Sequence, residues 1–467
     1  MQEFDLIVIG SGPGGYRAAV LAALRGLSAA IIEKADWGGC CLNRGCVPKK
    51  DWHHTAKLVA GNEYYAKRGI RGALTADLNE AWAHQHEVVK TVRDSYVDYM
   101  KRLGIASFTG TGSFTDAHTV SIDGKEAIQG KHIIIATGSS PFIPEGFERV
   151  PGRVLTTDDL FDNPPPAGKR VGLIGSGVIG TEFAFILSKM GKEVVWRSNA
   201  KPLGNSSFSQ PALKLLSDAL KKNGIEARTG CRPHCAEIVP EGVKLSMQDG
   251  SSDVVDWLVL GTGRRPHTDG LNLAAAGVTA DSKGFVKVND RLQTNVPHIY
   301  AIGDVANTHM TANHALADAA VAVSNIIEPG SRRQNNKAVP QLIYSAIELG
   351  MIGMSEEEAE DEGLEPATGF AAFESNPRAL GQDDVEGFVR VIADMDSGEL
   401  LGAEVIGAEA GELIHLIAQQ YGKEDALRQF AQMFYNHPAR SEELQNATET
   451  LANKWGLAEQ VFGGAAD

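Results

Sequence analysis

The segment GGCCLNRGCVPKK, residues 38–50, contains three of the five cysteines of this 467-residue chain. Cys41 and Cys46 are separated by four residues, and Cys40 stands directly before the first of them. Sulfur atoms in this arrangement could bind a metal, form a structural disulfide, or form a disulfide that opens and closes during a reaction. A structural zinc site needs four Cys or His ligands, and the other two cysteines lie far along the chain. We therefore predict no metal site.

A redox-active pair fits these cysteines better than a structural disulfide does. The first residues, MQEFDLIVIG, lack the basic leader of a secretory signal peptide. We therefore expect a cytoplasmic protein, in which permanent disulfides are rare. A helix start near the cysteines, together with Lys49 and Lys50, would stabilise a thiolate. A structural disulfide stays open as the alternative at this stage.

The first residues of the chain predict a nucleotide-binding unit, and a nucleotide bound there could exchange electrons with the cysteine pair. An apolar run, FDLIVI, leads into GSGPGG, a helical pattern and a second apolar run, SAAIIE, which is typical of a β–turn–α–β unit. Gly10, Gly12 and Gly15 fit G-x-G-x-x-G, in which the glycines allow a tight turn and the approach of a pyrophosphate to the helix N-terminus. Glu33 ends the second strand, where an acid binds a ribose diol.

A second unit of the same kind begins near residue 169, with KRVGLIG followed by SGVIGTEFAFILSKMG and KEVVW. Its glycines are Gly175, Gly177 and Gly180, but no acid follows its second strand. Arg197 and Ser198 stand there instead, and a cation with a hydroxyl suits the 2′-phosphate of NADP. The alternative is that Arg197 is only a surface cation at a strand exit. Two such units predict two bound nucleotides.

The composition excludes several classes of partner. The net charge of −15 argues against nucleic acid and anionic membrane surfaces. No stretch of the sequence is long and apolar enough to predict a transmembrane helix. The length predicts several domains rather than a single core.

The cysteine segment, read together with six other motifs, resembles the pyridine nucleotide–disulfide oxidoreductases. In family order the chain contains GSGPGGYRAA, IIIATGSSP, GSGVIGTE, GTGRRP, IYAIGDVA and NHPARSEEL, so the resemblance covers nearly the whole chain. It implies an α/β fold with two Rossmann-like domains, for FAD and NAD(P), and a C-terminal α+β dimerisation domain. The predicted boundaries are 1–147 and 270–337 for the FAD domain, 148–269 for the NAD(P) domain, and 338–467 for the dimerisation domain.

The resemblance also implies roles for individual residues. Cys46 would lie against the flavin as the charge-transfer thiolate, and Cys41 would exchange with the substrate. Lys50 would lie near the reactive flavin nitrogen, paired with Glu182. The residues expected to contact FAD are Gly10, Gly12, Gly15, Glu33, Lys50, Gly112, Ala136, Thr137, Gly138, Gly303, Asp304, Met310, Thr311 and Ala312. The residues expected at the nicotinamide nucleotide are Gly175, Gly177, Gly180, Glu182, Arg197, Ser198 and Gly263.

A general base completes the implied site. The resemblance assigns this role to His437 in NHPARSE, with Glu442 orienting the ring. A histidine suits proton transfer at a thiol near neutral pH. In the family this histidine comes from the other subunit, so a homodimer is expected.

Within the family the chain most resembles the dihydrolipoamide dehydrogenases, through CLNRGC and ESNPRALGQDDVEGFVRVIAD, whereas VPKK and HPARSEEL resemble glutathione reductases. The expected substrate is a dihydrolipoyl group on a separate carrier protein, or another small dithiol or disulfide. The alternatives are an NADPH-dependent reductase of a glutathione-type disulfide and a flavoprotein scaffold subunit with little turnover. Two departures from the family bear on the site. Cys40, where Thr is usual, is either a buried small residue or a thiol that reshuffles the disulfide, and Arg440 is expected in the wall of the substrate channel.

Overall fold

The computed structural model describes residues 1–463 and divides the chain into two compact units. Unit 1 comprises the ranges Met1–Thr55, Ala76–Ile174 and Pro233–Gln334. Unit 2 comprises the ranges Ala56–Thr75 and Gly175–Arg232 and the chain from Asn335 onward. The four-part domain division expected from the sequence stays a prediction.

The elements are numbered in chain order. The strands are β1 (Gln2–Ile9), β2 (Ala29–Glu33), β3 (Ala106–Thr109), β4 (Gly112–Phe114), β5 (Thr119–Ile122), β6 (Glu126–Ile135), β7 (Ser139–Pro141), β8 (Val154–Thr156), β9 (Arg170–Ile174), β10 (Glu193–Arg197), β11 (Ala227–Arg228), β12 (Pro233–Val239), β13 (Gly242–Met247), β14 (Ser252–Val255), β15 (Trp257–Leu260), β16 (Arg264–Pro266), β17 (Ile299–Ala301), β18 (Gln341–Tyr344), β19 (Glu348–Gly353), β20 (Pro366–Ala372), β21 (Phe388–Asp394) and β22 (Leu400–Ile406).

The helices are α1 (Pro13–Leu24), α2 (Gly39–Arg44), α3 (Cys46–Ala60), α4 (Asn62–Tyr65), α5 (Leu78–Arg102), α6 (Thr157–Asp162), α7 (Val178–Lys189), α8 (Gln210–Lys222), α9 (Ala312–Ile327), α10 (Glu356–Asp361), α11 (Pro377–Gln382), α12 (Ala410–Ala418), α13 (Ala426–Gln432), α14 (Glu442–Trp455) and α15 (Ala458–Phe462). None of the helices within residues 1–463 has the length and apolar content that a membrane crossing requires.

Unit 1 is built on a largely parallel sheet in the order β3-β2-β1-β6-β5-β4, with β17 also paired to β6. The strand β1 lies between β2 and β6, and Val8 is level with Ile31 on one side and Ile134 on the other. Strand β2, AAIIE, is buried along its whole length. A parallel strand whose two faces are both covered is usually apolar along its length. The apolar run FDLIVI therefore correctly predicts strand β1.

Unit 2 contains an antiparallel sheet in the order β18-β19-β22-β21-β20. Strands β21 and β22 are fully buried, and α12, α13 and α14 contribute Ile414, Phe430 and Leu451 to the same apolar core. Arg390 and Glu404 are level with each other in this sheet, and Nη1 of the arginine lies 3.3 Å from the carboxylate. The fold is the α/β architecture with a C-terminal α+β part that the sequence predicts.

Candidate functional site

The two cysteines with the four-residue spacing are bonded to each other. Cys41 lies inside α2 and Cys46 is the first residue of α3, with their Cα atoms 4.8 Å apart. Gly45 makes the break between the helices, where an added Cβ would lie 3.2 Å from both the Cys40 carbonyl oxygen and the Cys41 Cα. The prediction that these sulfurs pair is confirmed, and the closely spaced pair joins two consecutive helices.

Helix α2 is held firmly at its C-terminal end by charged contacts. Arg44 donates to Asp162 at 2.6 Å and to Asp36 at 2.5 Å. The neighbouring Asn43 is buried and donates to the carbonyl oxygens of Trp37 and Gly39. The contacts of Arg44 and Asn43 together hold in place the helix that carries Cys41.

Cys40 belongs to a polar network rather than to the disulfide. Nη2 of Arg264 lies 3.4 Å from its sulfur, and Asp158 lies 3.9 Å away. Burial raises the pKa of the Cys40 thiol to about 11. A thiol that stays protonated at neutral pH is a poor nucleophile. The contacts therefore favour the structural interpretation of Cys40 over disulfide reshuffling.

The network continues to a residue that the sequence assigns to the flavin. Nε of Arg264 donates to the Ser139 hydroxyl at 2.7 Å, and that hydroxyl donates to Asp304 at 2.5 Å. Only 14% of the Arg264 side chain is exposed. The motif GTGRRP predicted a role only for Gly263, and the place of Arg264 in this network was not predicted. A charged residue at a strand start just after the glycine was the available signal.

The first glycine loop forms an open cradle at the N-terminus of α1. Gly10 has φ +103, and a Cβ there would lie 2.3 Å from the Ala136 carbonyl oxygen. A Cβ on Gly15 would lie 1.9 Å from the Gly10 carbonyl oxygen. A Cβ on Gly12, in contrast, meets nothing within 4 Å, and no side chain caps the helix there. The loop therefore leaves bare backbone at the place where a pyrophosphate would bind.

Glu33 is buried at the end of β2, as the sequence expects for a ribose-binding acid. One carboxylate oxygen accepts hydrogen bonds from the Ser11 N–H at 2.9 Å and the Ser11 hydroxyl at 2.7 Å. The other accepts from the Ala35 N–H at 2.9 Å. These bonds join the strand end to the glycine loop and hold the carboxylate in one orientation.

Other residues expected at the flavin lie in unit 1 at strand ends and helix starts. The Thr137 hydroxyl donates to the His267 carbonyl, and Gly138 follows at φ +70. Thr311 caps α9, which packs against α1. The remaining members of this set in unit 1 are Lys50, Gly112, Ala136, Gly303, Asp304, Met310 and Ala312.

The second glycine loop lies in unit 2 and has the same close backbone geometry as the first. A Cβ on Gly180 would lie 2.1 Å from the Gly175 carbonyl oxygen, whereas a Cβ on Gly177 meets nothing within 4 Å. Gly175 has φ +130, and α7 begins at the next residue after Gly177 without a side-chain cap. Both loops thus place uncapped N–H groups next to open space.

Hydrogen bonding fixes which residue of the second loop corresponds to Glu33. The Gly10 N–H donates to the Ile32 carbonyl at 2.8 Å, and the Gly175 N–H donates to the Arg197 carbonyl at 3.1 Å. Arg197 therefore corresponds to Ile32, and the buried Ser198 takes the place of the acid. The sequence alone leaves both residues as candidates for the strand end, and these backbone hydrogen bonds select Ser198.

The expected base and its orienting acid are in contact. Nδ1 of His437 lies 2.8 Å from Glu442, and 72% of the histidine side chain is exposed. The other oxygen of Glu442 accepts from the Ala439 N–H at 2.7 Å. The Ala439 N–H first, and then the His437 ring, hold the pKa of Glu442 below its ordinary value. The ring is thus oriented by a carboxylate that is ionised.

The environment of Arg440 differs from the expectation, and the pairing of Lys50 with Glu182 remains untested. Arg440, expected in the wall of the substrate channel, is buried inside unit 2 with none of its side chain exposed. Glu182 is buried in α7 and accepts from the Tyr344 N–H at 2.8 Å. Lys50 lies in α3, and its pairing with Glu182 stays a prediction.

Matches to family models cover almost the whole chain. Residues 4–319 match the model described as pyridine nucleotide-disulphide oxidoreductase. Residues 339–448 match the model of the dimerisation domain of the same proteins.

Characterised relatives match over nearly their full length. A dihydrolipoyl dehydrogenase of Thermus scotoductus is 33% identical, and the match covers 97% of this chain and 98% of that protein. A dihydrolipoamide dehydrogenase of Chaetomium thermophilum is 32% identical, with 96% of this chain and 91% of that protein covered.

Solved structures share the fold. LpdA of Mycobacterium tuberculosis matches with a TM-score of 0.89 at 20% identity, covering 96% of this chain and 99% of that one. The HOCl-induced flavoprotein disulfide reductase RclA of Escherichia coli, in its Cu(II) complex, matches with a TM-score of 0.84 at 23% identity, with the same coverage.

Proposed function

Because this chain belongs to the pyridine nucleotide-disulphide oxidoreductase family, we propose that it oxidises a dihydrolipoyl group with NAD(P)⁺ through its Cys41–Cys46 disulfide. The chain is an FAD-dependent oxidoreductase that uses NAD or NADP and carries the family's dimerisation domain. The disulfide within unit 1 is the observation that carries the proposal. The 33% identity with a dihydrolipoyl dehydrogenase supports the substrate class.

The first glycine loop fits the adenosine end of FAD. Open space over Gly12 and the uncapped start of α1 suit a pyrophosphate, and the fixed carboxylate of Glu33 suits a ribose diol. Asp304 would reach the sugar-alcohol chain of the cofactor. Bound FAD would carry the electron pair between the disulfide and the nicotinamide.

The protein's own residues then perform a thiol–disulfide exchange. A substrate thiolate attacks the sulfur of Cys41, and Cys46 leaves as a thiolate. The second substrate thiol then attacks the substrate sulfur that is bonded to Cys41. This attack closes the substrate disulfide and releases Cys41 as a thiol. In the dimer, the partner subunit's His437 accepts the proton from the incoming thiol, and Glu442 stabilises the charged ring. Two electrons and two protons leave the substrate in this step.

A steady-state assay tests the proposal. The flavin-loaded protein is assayed with NADH, NADPH, NAD⁺ and NADP⁺ against dihydrolipoamide, lipoamide and glutathione disulfide. Lipoamide turnover is the expected result. Glutathione disulfide turnover with NADPH alone would contradict it and would support a glutathione-type reductase, which Ser198 at the acid's position favours as the second candidate.

The redox pair is tested separately by substitution. Cys46→Ser should abolish dithiol turnover while the protein keeps its flavin, because the exchange loses its leaving group. Cys231→Ser serves as the matched control and should keep full turnover. Normal flavin binding with negligible turnover of any free dithiol in the unaltered protein would instead indicate a scaffold subunit.

The location and carrier belong to the same proposal. A separate lipoylated carrier protein in the cytoplasm would present the dihydrolipoyl group. The crowded cysteines, unlike a secreted disulfide framework, support the location. Pull-down with a lipoylated domain, compared with its unlipoylated form, would measure the carrier interaction.

A further inference from the structure

Arg440 lies buried beneath the turn that carries His437. Its Nε and Nη2 donate to Gln382 Oε1 at 3.3 and 3.1 Å, and Nη2 also donates to the Asp384 carbonyl oxygen at 2.8 Å. The guanidinium lies over the Phe373 ring, 5.3 Å from its centroid. The arginine therefore joins the 437–442 turn to the segment that follows α11.

Stability alone does not account for this arginine. The nearest carboxylate oxygen, on Asp384, is 3.8 Å away, and 48% of the Asp384 side chain is exposed to water. Nη1 is buried and has no hydrogen-bond acceptor among residues 1–463. A buried charge with an unused donor and a loose partner costs free energy. A hydrophobic side chain of similar length would fill the same space without that cost.

The neighbouring residue shows what the arginine holds in place. Ala439 directly precedes it, and the Ala439 N–H is the donor that contributes most to the lowered pKa of Glu442. The Ala439 carbonyl accepts from Asn376 at 2.9 Å, the first residue before α11. Asn376 thus holds the carbonyl side of Ala439, and the Arg440 side chain anchors the next residue to Gln382 and Asp384. The N–H of the same Ala439 orients the acid that contacts His437.

We propose that Arg440 is a positioning residue that anchors the backbone next to Ala439, and through the Ala439 N–H the Glu442–His437 pair, for proton transfer during dithiol oxidation. The proposal rests on the proposed function, because it takes His437 as the base. It assigns to this arginine a role that a channel wall residue would not have.

The test separates reactions that need the base from one that does not. In flavin-loaded Arg440→Met, kcat for dihydrolipoamide should fall about tenfold, a part of the factor of about 10²–10⁴ that general acid–base catalysis contributes. The pH profile of kcat/KM should move to lower pH, since a poorly oriented Glu442 stabilises the charged ring less. NADH oxidation by ferricyanide, which bypasses the thiols, should be unchanged. The melting temperature should be unchanged or higher.

Arg440→Lys and two further variants complete the series. Lysine keeps the charge but not the planar fork, and it should restore only part of the turnover. Gln382→Met removes the acceptor of two hydrogen bonds without touching the arginine, and it should give a smaller loss of the same kind. Arg378→Met, an exposed arginine on α11, is the matched control and should match the unaltered protein.

The outcomes that overturn the inference are specific. Equal losses of dihydrolipoamide and ferricyanide activity in Arg440→Met, or an unmoved pH profile, would show a merely structural role. If Arg440→Met does not fold, Gln382→Met decides by the same two readouts. His437→Gln is measured in parallel. Retained dithiol turnover in His437→Gln would refute the proposed base, a failure distinct from that of the arginine.

Discussion

The two glycine loops have nearly the same backbone and different strand ends. In each, a Cβ added to the third glycine would lie only about 2 Å from the carbonyl oxygen of the first, at 1.9 Å for Gly15 and 2.1 Å for Gly180. In each, the second glycine faces open space. The first loop is closed by the buried carboxylate of Glu33, whereas the second has Ser198 at that position.

The shared glycine geometry is architectural, whereas we expect the strand ends to select the nucleotide. The glycine geometry is common because both loops must bring a helix N-terminus to a pyrophosphate. We expect the strand ends to differ because each would face the adenosine ribose of its own nucleotide. A carboxylate favours a ribose diol and repels a 2′-phosphate, whereas a serine does not repel it.

A second feature of the second loop adds positive charge. Arg197 in β10 is level with Arg228 in the parallel neighbour β11. Residues level with each other in adjacent strands project from the same face of the sheet. The two arginines therefore bring positive charge to the strand end that precedes Ser198, and a preference for NADP at this loop stays a prediction.

The largest expected effects come from the third glycines. Gly15→Ala and Gly180→Ala each force a methyl group against a backbone carbonyl. Each should lower the free energy of unfolding by about 1–3 kcal/mol, measured by thermal and urea unfolding. If either substitution were silent, the close approach of helix and loop would be wrong for that loop.

Substitutions at the second glycines separate the two ligands. Gly12→Ala should leave the melting temperature of the flavin-free protein unchanged but reduce bound flavin, because its methyl occupies only the open space over the loop. Gly177→Ala should keep the flavin and weaken NAD(P)H binding roughly tenfold, or about 1.4 kcal/mol. Flavin absorbance per protein and nicotinamide titration measure the two effects. Loss of flavin in Gly177→Ala would contradict the assignment of the loops.

The strand ends give a smaller, selective effect. Ser198→Glu recreates the acid of the first loop, and it should raise KM for NADPH about tenfold relative to NADH through charge repulsion with the 2′-phosphate. Ser198→Gln, which adds similar bulk without charge, is the control. Equal changes for both nucleotides would indicate a steric effect and remove the argument for charge.

The smallest effect is expected at the paired arginines. Arg197→Ala and Arg228→Ala should each raise KM for NADPH by a few-fold, consistent with about 1 kcal/mol or less for exposed charge pairs. NADH kinetics should not change in either variant. A salt titration provides the check, because the NADPH preference should weaken as ionic strength rises.

Local patterns predicted much of the fold because they carry their own physical cause. FDLIVI predicts a buried parallel strand, and residues 78–102 form one continuous helix whose start has a local signal. Asp77 is the N-cap of that helix, and its side chain accepts hydrogen bonds from the N–H groups of Asn79 and Glu80. The spacing of Cys41 and Cys46 likewise predicts a pair, because bonded sulfurs five positions apart need no distant element.

Contacts between distant segments could not be predicted in the same way. Arg264 reaches Cys40 and Ser139 from more than a hundred residues away. Arg440 carries no local signal of burial, and an arginine next to a loop histidine is ordinarily exposed. Its hydrogen-bond partners are Gln382 and Asp384, and these residues contact Arg440 only in the folded unit 2.

Local sequence patterns predicted the glycine loops and the sulfur pair, and the family resemblance predicted the histidine with its acid, because each depends on residues within a few positions of one another. The tertiary structure decided that Ser198 rather than Arg197 takes the acid's place, that Cys40 is bound into a network, and that Arg440 is buried. These depend on strand register and on packing between segments far apart in the chain, where each group's partners fix its charge state and orientation.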